Sequence, residues 1–329
     1  MLFRSLYQDS AGTTPCTAVG DPIGKVLDTS GRGNHLTQAT STKRPTLGRM
    51  PATGVRNLLV NTATLSTQNV TTVAGSYTIQ FTGAGSVTAS GTYSGALTNG
   101  QTFTCTAGTL TLTVSGSVTN AQLEAGSTAT AKQVVGAAYD VTESGVASVY
   151  TAYFDGVDDR LVSPSIDFTA TDKMSVFGGV RKTVELGLLD CLLECADIFL
   201  GPGFALNTKA KGLAGNASFG SRGSTSDRYA LTPLPTNTSA VITGYADIPA
   251  PSVNIRNNSV IGTGSTLSQG SGMYPNAAIN VGSRPGGGYP FKGFLSALCA
   301  RGTTTSSADI TRMEKWMAEI GRASCRERV

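Results

Sequence analysis

Residues 153–162 read YFDGVDDRLV, and this stretch decides how the rest of the chain is interpreted. The letters describe an apolar strand end, an Asp-Gly turn and the start of a second strand. Gly156 can adopt a positive φ angle, and an aspartate beside a glycine tolerates the same turn geometry. The stretch therefore predicts a β-hairpin whose turn carries the carboxylates of Asp155, Asp158 and Asp159.

Two further segments accompany this turn, one on each side of it. Residues 28–35 read DTSGRGNH, and residues 167–176 read DFTATDKMSV. The three segments together resemble the laminin-G-like form of the concanavalin A-like lectin/glucanase sandwich, particularly the form found in bacteriophage virion proteins. In that family the first segment is written D-x-S-G-x-G-N-H, and the turn is written F-D-G-x-D-D. The resemblance implies an all-β jelly-roll sandwich whose core is non-catalytic as often as not.

The composition agrees with an all-β protein. Charged residues make up 14% of the chain, the mean hydropathy is +0.00, and 40 glycines are spread among many threonines and serines. Such a composition favours strands and turns over helices or disorder. No apolar run reaches the roughly 18 residues that a membrane span requires, so we expect no membrane insertion.

Both ends of the sequence read as translated sequencing adapters. These ends are residues 1–5 and 319–329, and we expect residues 6–318 to be an internal fragment of a longer gene. The net charge of the whole chain is +4, and part of it comes from arginines in the two ends: Arg4, Arg322, Arg326 and Arg328. The charge therefore gives no support for nucleic acid as a partner.

The sequence changes in character between residues 56 and 135. Apolar residues alternate there with threonine and serine, which predicts half-buried strands. Two sets of residues share strand faces: Tyr77, Ile79 and Phe81, and then Leu110, Leu112 and Val114. We predict a small β-sandwich, residues 56–135, inserted into a lectin-like domain made of residues 6–55 and 136–318. The end of the insert, residues 120–130, resembles the exit of carbohydrate-binding-like modules in phage tail proteins.

The remainder of the lectin-like domain predicts further short strands. Residues 174–180 alternate as a core strand with closely packed glycines. Residues 185–200 are equally consistent with a helix and with a strand. Asn257-Asn258 predicts a tight turn that leads into Val260 and Ile261.

A short helix is predicted at the C-terminal end. Ser306 and Asp309 have the spacing of a capping box, which starts a helix. Three apolar residues then line one face of that helix: Ile310, Met313 and Met317. We interpret Trp316 as a core residue of this helix, in preference to a platform for stacking a sugar.

The sequence lacks the patterns of the common catalytic sites, so we expect no enzyme. A sandwich glucanase places its two carboxyl groups on an E-x-D-x-E strand, and no such string occurs. The nearest approach, Glu194 with Asp197, has the wrong spacing for one face of a strand. Cys191 and Cys195 lack a second cysteine pair, and His35 is the only histidine, which argues against zinc. We interpret His35 as a packing or capping residue.

Calcium is the one cofactor that the residues suggest. Calcium prefers hard oxygen ligands, and Asp155, Asp158 and Asp159 cluster on one turn, with Asp28 as a fourth candidate. The resemblance also implies calcium, because laminin-G-like domains often bind it with loop carboxylates. The alternative interpretation is that Asp155 shapes the turn while the other carboxylates are solvated or cap backbone amides.

Saccharide binding requires aromatic faces beside amides and charged groups. The candidates stand in three loops: Tyr274 with Asn276, Tyr289, and Arg228 with Tyr229. We expect a non-catalytic protein of a phage virion, a tail or decoration component, that binds a host-surface or environmental polysaccharide and contacts other virion proteins. The rival is a purely structural virion module, and a glycoside hydrolase ranks third. The oligomeric state stays open.

Overall fold

The computed structural model describes residues 5–320, apart from the side chain of Ile320. Most of the predicted adapter, residues 1–4 and 321–329, lies outside the described part, whereas Glu319 and Ile320 belong to the C-terminal helix. The chain forms two compact units. One contains the described residues up to Gly48 and from Val149 onward, and the other is Arg49–Ser148.

The second unit is longer than the insert predicted from the sequence. Its two flanks bind each other, because Nε of Arg49 lies 2.5 Å from Oδ1 of Asp140. The amide of Ala52 also donates a 2.9 Å hydrogen bond to the carbonyl oxygen of Ala147. These pairings group the flanks, residues 49–55 and 136–148, with the inserted sandwich.

The chain begins with four short strands, of which the fourth leads into the second unit. They are β1 (Leu6–Tyr7), β2 (Lys25–Val26), β3 (Leu36–Thr37) and β4 (Thr46–Pro51), and a 3₁₀ turn, Ser41–Lys43, precedes β4. The strands that follow are β5 (Gln68–Thr72), β6 (Gly75–Thr82), β7 (Ser86–Gly91), β8 (Gly95–Leu97), β9 (Thr102–Cys105), β10 (Gly108–Ser115), β11 (Thr119–Ala125), β12 (Gln133–Val135) and β13 (Val141–Glu143).

The chain then returns to the first unit and stays there. Its strands are β14 (Ser148–Asp155), β15 (Leu161–Asp167), β16 (Lys173–Lys182), β17 (Asp190–Cys195), β18 (Gly203–Lys209), β19 (Asn216–Arg222), β20 (Asp227–Pro233), β21 (Thr238–Asp247), β22 (Ser252–Asn257), β23 (Val260–Ile261), β24 (Asn276–Val281) and β25 (Lys292–Arg301). A 3₁₀ turn, Pro285–Gly287, precedes β25, and the helix α1 (Ser307–Ile320) follows it.

Two sheets form the sandwich of the first unit. The nine-stranded sheet has the order β1-β2-β3-β15-β24-β17-β18-β19-β20, and the seven-stranded sheet has the order β23-β22-β21-β16-β25-β14-β4. Their facing side chains form one core that includes Leu161, Val176, Leu206 and Phe219. The sheets approach closely at Gly244, where an added Cβ would lie 2.2 Å from the ring of Phe219. The predicted all-β, jelly-roll-like sandwich is confirmed.

The predicted hairpin at residues 153–162 is wrong. β14 ends at Asp155 in the seven-stranded sheet, whereas β15 begins at Leu161 in the nine-stranded sheet. Gly156 has the expected positive φ, 80°, but its turn carries the chain from one layer to the other. Alternation along a strand shows which face is buried and does not show which sheet the strand joins. Phe154 and Leu161 accordingly enter the same core from opposite walls.

Other local predictions in the first unit are resolved by the structure. Residues 190–195 form a strand, which decides between the two alternatives for the segment 185–200. Asn258 and Ser259 have φ angles of 47° and 69° and connect β22 to β23, so the tight turn is confirmed. The glycines of β16 are closely packed as predicted, since a Cβ on Gly178 would lie 3.0 Å from Leu192.

The second unit is a smaller sandwich with its own core. Its four-stranded sheet has the order β5-β10-β7-β8, and its three-stranded sheet has the order β11-β6-β9. The alternation predicted from the sequence is confirmed. Five of the six residues named for their strand faces are buried: Tyr77, Ile79, Phe81, Leu110 and Leu112. The sixth, Val114, is partly buried and packs against this core.

The helix α1 covers part of the outer face of the seven-stranded sheet. Ile310 and Met317 are buried there beside Phe177. Ser306 caps the helix, because its Oγ accepts a 3.1 Å hydrogen bond from the amide of Asp309. Trp316 is 50% exposed, so its predicted place in the core is wrong. Four residues after Arg312, it lies on the solvent side of the helix. Within the described residues, no helix has both the length and the hydropathy of a membrane span.

Candidate functional site

Four segments meet at one end of the sandwich of the first unit, and we call this region the loop end. It comprises residues 155–160, 183–189, 209–214 and 282–292. Each segment connects two strands or closes one, so the sheets determine where the segments stand while their own side chains remain free to vary.

Contacts between the segments make the loop end continuous. A Cβ built on Gly156 would lie 2.5 Å from Cδ1 of Leu186, so Leu186 packs directly against the aspartate turn. A Cβ built on Gly287 would lie 3.4 Å from Nη1 of Arg160. The amide of Gly212 donates a 2.9 Å hydrogen bond into the segment 183–189.

Asp155, Asp158 and Asp159 form a compact carboxylate cluster in this region. One carboxylate oxygen from each of the three lies within 4.8 Å of the chosen oxygens of the other two. The turn itself positions two of them, because Asp159 accepts a 2.8 Å hydrogen bond from the amide of Asp155, and Asp155 accepts one of 2.8 Å from the amide of Val157. Asp159 is only 5% exposed. Burial, together with the charges of Asp155 and Asp158, raises the pKa of Asp159 to about 7.

This cluster fits a hard divalent cation. Carboxylates that crowd one another in a partly buried turn are the ligands that calcium takes. A bound cation would also remove the repulsion that contributes to the raised pKa of Asp159. Among residues 5–320, the cluster has one salt bridge, and it is weak: Nζ of Lys43 lies 4.0 Å from Oδ2 of Asp158, and both side chains are partly exposed.

Asp28 does not join this cluster. One of its oxygens accepts a 2.8 Å hydrogen bond from the amide of Ser30, and the other accepts a 3.0 Å hydrogen bond from the amide of Asn34. Nδ1 of His35 accepts a 2.9 Å hydrogen bond from the amide of Asp28, which confirms His35 as a capping residue. Asp28 therefore stabilises its own turn. A short carboxylate side chain in a turn readily accepts hydrogen bonds from the backbone amides that follow it.

A buried ion pair fixes the segment 282–292. Nε of Arg284 lies 2.6 Å from Oε2 of Glu194, and Nη2 lies 3.0 Å from Oε1, so the pair is bidentate. Asp197 binds the same guanidinium. Burial raises the pKa of Glu194, and the hydrogen bonds from Arg284 oppose that effect. Glu194 and Asp197, the two carboxylates whose spacing came nearest to that of a glycosidase, thus both bind Arg284.

Two aromatic rings accompany Arg284. Its Cζ lies 4.1 Å from the ring centroid of Phe199 and 5.7 Å from that of Tyr289. Nζ of Lys211 lies 4.8 Å from the centroid of Phe199. The carbonyl oxygen of Tyr289 accepts a 2.9 Å hydrogen bond from the amide of Cys191. With 36% of its surface exposed, Tyr289 presents a fixed aromatic ring to solvent at the loop end.

A second buried network supports the segment 183–189. The ammonium of Lys182 is fully buried, 2.5 Å from Oε1 of Glu185 and 3.0 Å from the carbonyl oxygen of Thr208. Asp190 accepts hydrogen bonds from the amide of Leu186 at 3.0 and 3.2 Å. Burial raises the pKa of Asp190 to about 7. Sequence reasoning missed these groups; the available signal was the pairing of basic and acidic residues at the ends of apolar strands.

The structure does not bring the five predicted glycan-binding residues together. Tyr274 is 1% exposed, and its hydroxyl lies 2.7 Å from Oγ of Ser221, so it is a core residue and the prediction is corrected. Asn276 begins β24, and the loop end follows that strand's other terminus, about 17 Å away at the usual strand rise. Only Tyr289 lies at the loop end.

Arg228 and Tyr229 lie on β20, at the edge of the nine-stranded sheet. Nε of Arg228 donates a 2.9 Å hydrogen bond to the carbonyl oxygen of Ser268. The ring of Tyr229 covers Gly220, where an added Cβ would lie 2.5 Å from that ring. Both side chains are partly buried, and each is occupied by packing or hydrogen bonding within its own sheet region.

Comparisons with known proteins were made for the whole chain. No protein-family model matches it, and no curated protein sequence matches it. Among solved structures, it is similar to the CBM40 module of the Ruminococcus gnavus IT-sialidase bound to α2,3-sialyllactose, with 15% identity and a TM-score of 0.36 over 44% of this chain and 83% of that one. A heptameric SAP-like pentraxin from Limulus polyphemus has 11% identity and a TM-score of 0.39, covering 48% and 78%.

A third similar structure is the binding domain of botulinum neurotoxin serotype D. It has 10% identity and a TM-score of 0.37, and the match covers 51% of this chain and 42% of that one. All three matches cover about half of this chain and have low identity. They are compatible with a lectin-like sandwich and carry no information about the ligand of this chain.

Proposed function

We propose that the first unit is a non-catalytic carbohydrate-binding module whose binding surface is the loop end. The observation that carries the proposal is the position of the carboxylate cluster and of Tyr289 on segments that contact one another. Arg160, which follows the cluster directly, lies against Gly287, two residues before Tyr289. A saccharide site combines an aromatic face with a few polar or charged groups, and the loop end offers both kinds of group.

In this proposal Asp155, Asp158 and Asp159 hold one calcium ion. Calcium, when bound, offers open coordination positions to sugar hydroxyls. The chain's own part is to keep three carboxylates deprotonated and close together, which the turn hydrogen bonds to Asp155 and Asp159 support. Binding must therefore compete with the proton that the raised pKa of Asp159 favours below about pH 7.

Tyr289 supplies the stacking surface. Its backbone is anchored to Cys191, and its ring lies near the guanidinium of Arg284, which Glu194 holds in turn. A ring held in this way loses little conformational entropy when a ligand binds, which favours affinity. The exposed face of the ring is available to the apolar face of a sugar.

The test is a glycan and bacterial-polysaccharide array on the full chain, with 1 mM Ca²⁺ and with a chelator. We expect saturable binding that Tyr289→Ala and Asp158→Asn each weaken about tenfold or more, in line with the loss of one stacked ring or one metal ligand. Trp316→Ala is the matched control, since it removes an exposed aromatic from helix α1. A folded protein that binds no glycan under either condition contradicts the proposal.

Calorimetric titration with Ca²⁺ tests the metal part separately. We expect heat of binding for the full chain and none for Asp155→Asn. Glycan binding that survives in the chelator with no Ca²⁺ heat would keep the saccharide function and reject the calcium site.

We also propose that this module belongs to a phage virion, as a tail or decoration protein that attaches the particle to a polysaccharide-bearing surface. Support comes from the resemblance of residues 28–35 and 153–162 to that family. Mass spectrometry of density-purified particles from a culture that carries the gene is the test. Presence of the chain in particles without glycan binding would favour the purely structural alternative, and release of reducing ends from a bound polysaccharide would favour a hydrolase.

A further inference from the structure

The charges near Tyr289 point to one class of saccharide. We propose that the loop end takes an acidic glycan, one that carries carboxylate, sulfate or phosphate groups. This inference rests on the proposed function and names the ligand class of the same site.

Three cations of the loop end carry the inference. Arg160, Lys211 and Lys292 have no carboxylate within 4.0 Å among the residues that the structure describes. Other cations nearby are paired: Lys182 with Glu185, and Arg284 with Glu194. The cations that hold the segments of the loop end in place are therefore paired with carboxylates of the chain. The charges of Arg160, Lys211 and Lys292 are not paired in this way.

A fourth cation, Lys209, is not counted with these three. Its ammonium donates a 2.6 Å hydrogen bond to the carbonyl oxygen of Gly187. Its charge also acts on Asp190 and Glu185, whose pKa values it lowers against the effect of burial. Lys209 thus belongs to the support of the segment 183–189.

Arg160 has a feature that points to a missing acceptor. Its Nε is buried and has no hydrogen-bond partner in the described chain, and its Nη1 lies against Gly287. The guanidinium of Arg160 is thus not used up by an acceptor of the described chain, and its outer nitrogens can serve a ligand. A guanidinium presents several donors in a plane and matches the oxygens of a carboxylate, sulfate or phosphate.

The other two cations belong to two further segments of the loop end. Lys292 packs against the aspartate turn, because a Cβ built on Gly156 would lie 2.7 Å from the Cβ of Lys292. Lys211 lies over the ring of Phe199. Arg284 lies over the same ring and also over the ring of Tyr289.

The aspartate cluster decides when these cations can act. Without a divalent ion, the charges of the aspartate cluster repel an anionic ligand from the loop end. A bound divalent ion reverses that local charge, so the ion and Arg160 can share one anionic group. We therefore expect acidic glycans to bind only with the divalent ion present.

The experiment uses the full chain and glycans in matched acidic and neutral pairs, with 1 mM Ca²⁺. Suitable pairs are polygalacturonate with free or methyl-esterified carboxylates, dextran with or without sulfate, and mannan with or without phosphate. We expect the acidic members to bind at least about tenfold more tightly, and added salt to weaken them most. Selective binding of only one acidic set identifies carboxylate, sulfate or phosphate as the group recognised.

Two charge variants complete the design. Arg160→Gln combined with Lys211→Gln should remove most of the preference for the acidic members over the neutral ones. Arg312→Gln on helix α1, 79% exposed at its side chain, is the control for net charge and should change nothing.

The outcomes separate the two proposals. Equal binding of acidic and neutral members supports the proposed function and overturns this inference. Equal binding of acidic glycans and of duplex DNA also overturns it, since the contact would then be a general attraction of opposite charges. Absence of binding to every glycan overturns the proposed function itself.

Discussion

The two units of this chain build β-sandwiches with opposite use of charge. Residues 57–131, the body of the second unit, contain one charged residue, Glu124, and it is buried within hydrogen bonds to Thr130 and Gln122. The first unit instead buries charged residues at its loop end and on the strands beside it: Arg284 in the loop end, and Lys182 and Glu194 on adjoining strands. Burying charge costs free energy that hydroxyl and amide groups avoid. A sandwich therefore needs no such charges to fold, and their concentration at one end marks a region arranged for another purpose.

The largest expected effect comes from breaking the buried pair. Arg284→Ala leaves Glu194 as an unpaired buried charge, which should lower the unfolding free energy of the first unit by about 3–5 kcal/mol. Denaturant titration followed by Trp316 fluorescence measures it, because the only tryptophan of the chain lies in this unit.

The control for that variant is Arg312→Ala, which breaks an exposed pair with Asp309 on helix α1. Exposed pairs contribute little, so its titration should overlay the unchanged protein. Equal losses in both variants would show that burial does not set the contribution of charge in this unit.

A pH series sharpens the same comparison. The pKa of Asp159 is raised from 3.8 to about 7, so between these values the folded protein binds more protons than the unfolded chain. The unfolding free energy of the first unit therefore falls as pH rises from about 4 to 7, and Asp159→Asn should restore on the order of 2 kcal/mol at pH 7.5 without calcium.

Asp190 supplies a matched contrast, since burial raises its pKa to the same value away from the aspartate cluster. Calcium should stabilise the unchanged protein and Asp190→Asn, and it should not stabilise Asp159→Asn. A calcium effect that persists in Asp159→Asn would remove Asp159 from the metal site.

The smallest expected effect lies in the second unit. Glu124→Gln keeps an acceptor for the amide of Thr130, and the hydroxyl of Thr130 can reverse its role, so the cost should be about 1 kcal/mol. Hydrogen exchange of residues 57–131 measures it locally. A loss as large as that of Arg284→Ala would mean that the second unit depends on its single charge, against the contrast drawn above.

Local patterns predicted the strands of both units well. The faces of β6 and β10, the glycines of β16 and the turn at Asn258 all follow from alternation or from the φ angle that a turn requires. Such features depend on residues two to four positions apart, so a sequence contains them directly. The carboxylate cluster is of this kind too, because its three members lie within five consecutive residues.

Contacts between distant segments defeated the same approach. Tyr274 was expected at a surface loop, yet Phe204 and Ser221 enclose it in the core. Trp316 was expected inside and is half exposed. An aromatic residue beside a turn or on a helix has the same sequence context in either place, and only the elements packed against it determine its burial.

The amino-acid sequence by itself determined that this chain is all-β, that residues 56–135 differ in character from the rest, and that three carboxylates share one turn. Only the tertiary structure decided that this turn joins two sheets, that Glu194 and Asp197 meet at Arg284, and that Tyr289 alone of five candidates lies at the loop end. The physical reason is range: alternation and turn geometry act within a few residues, whereas Glu194 and Arg284 are 90 residues apart and meet only after both sheets have formed.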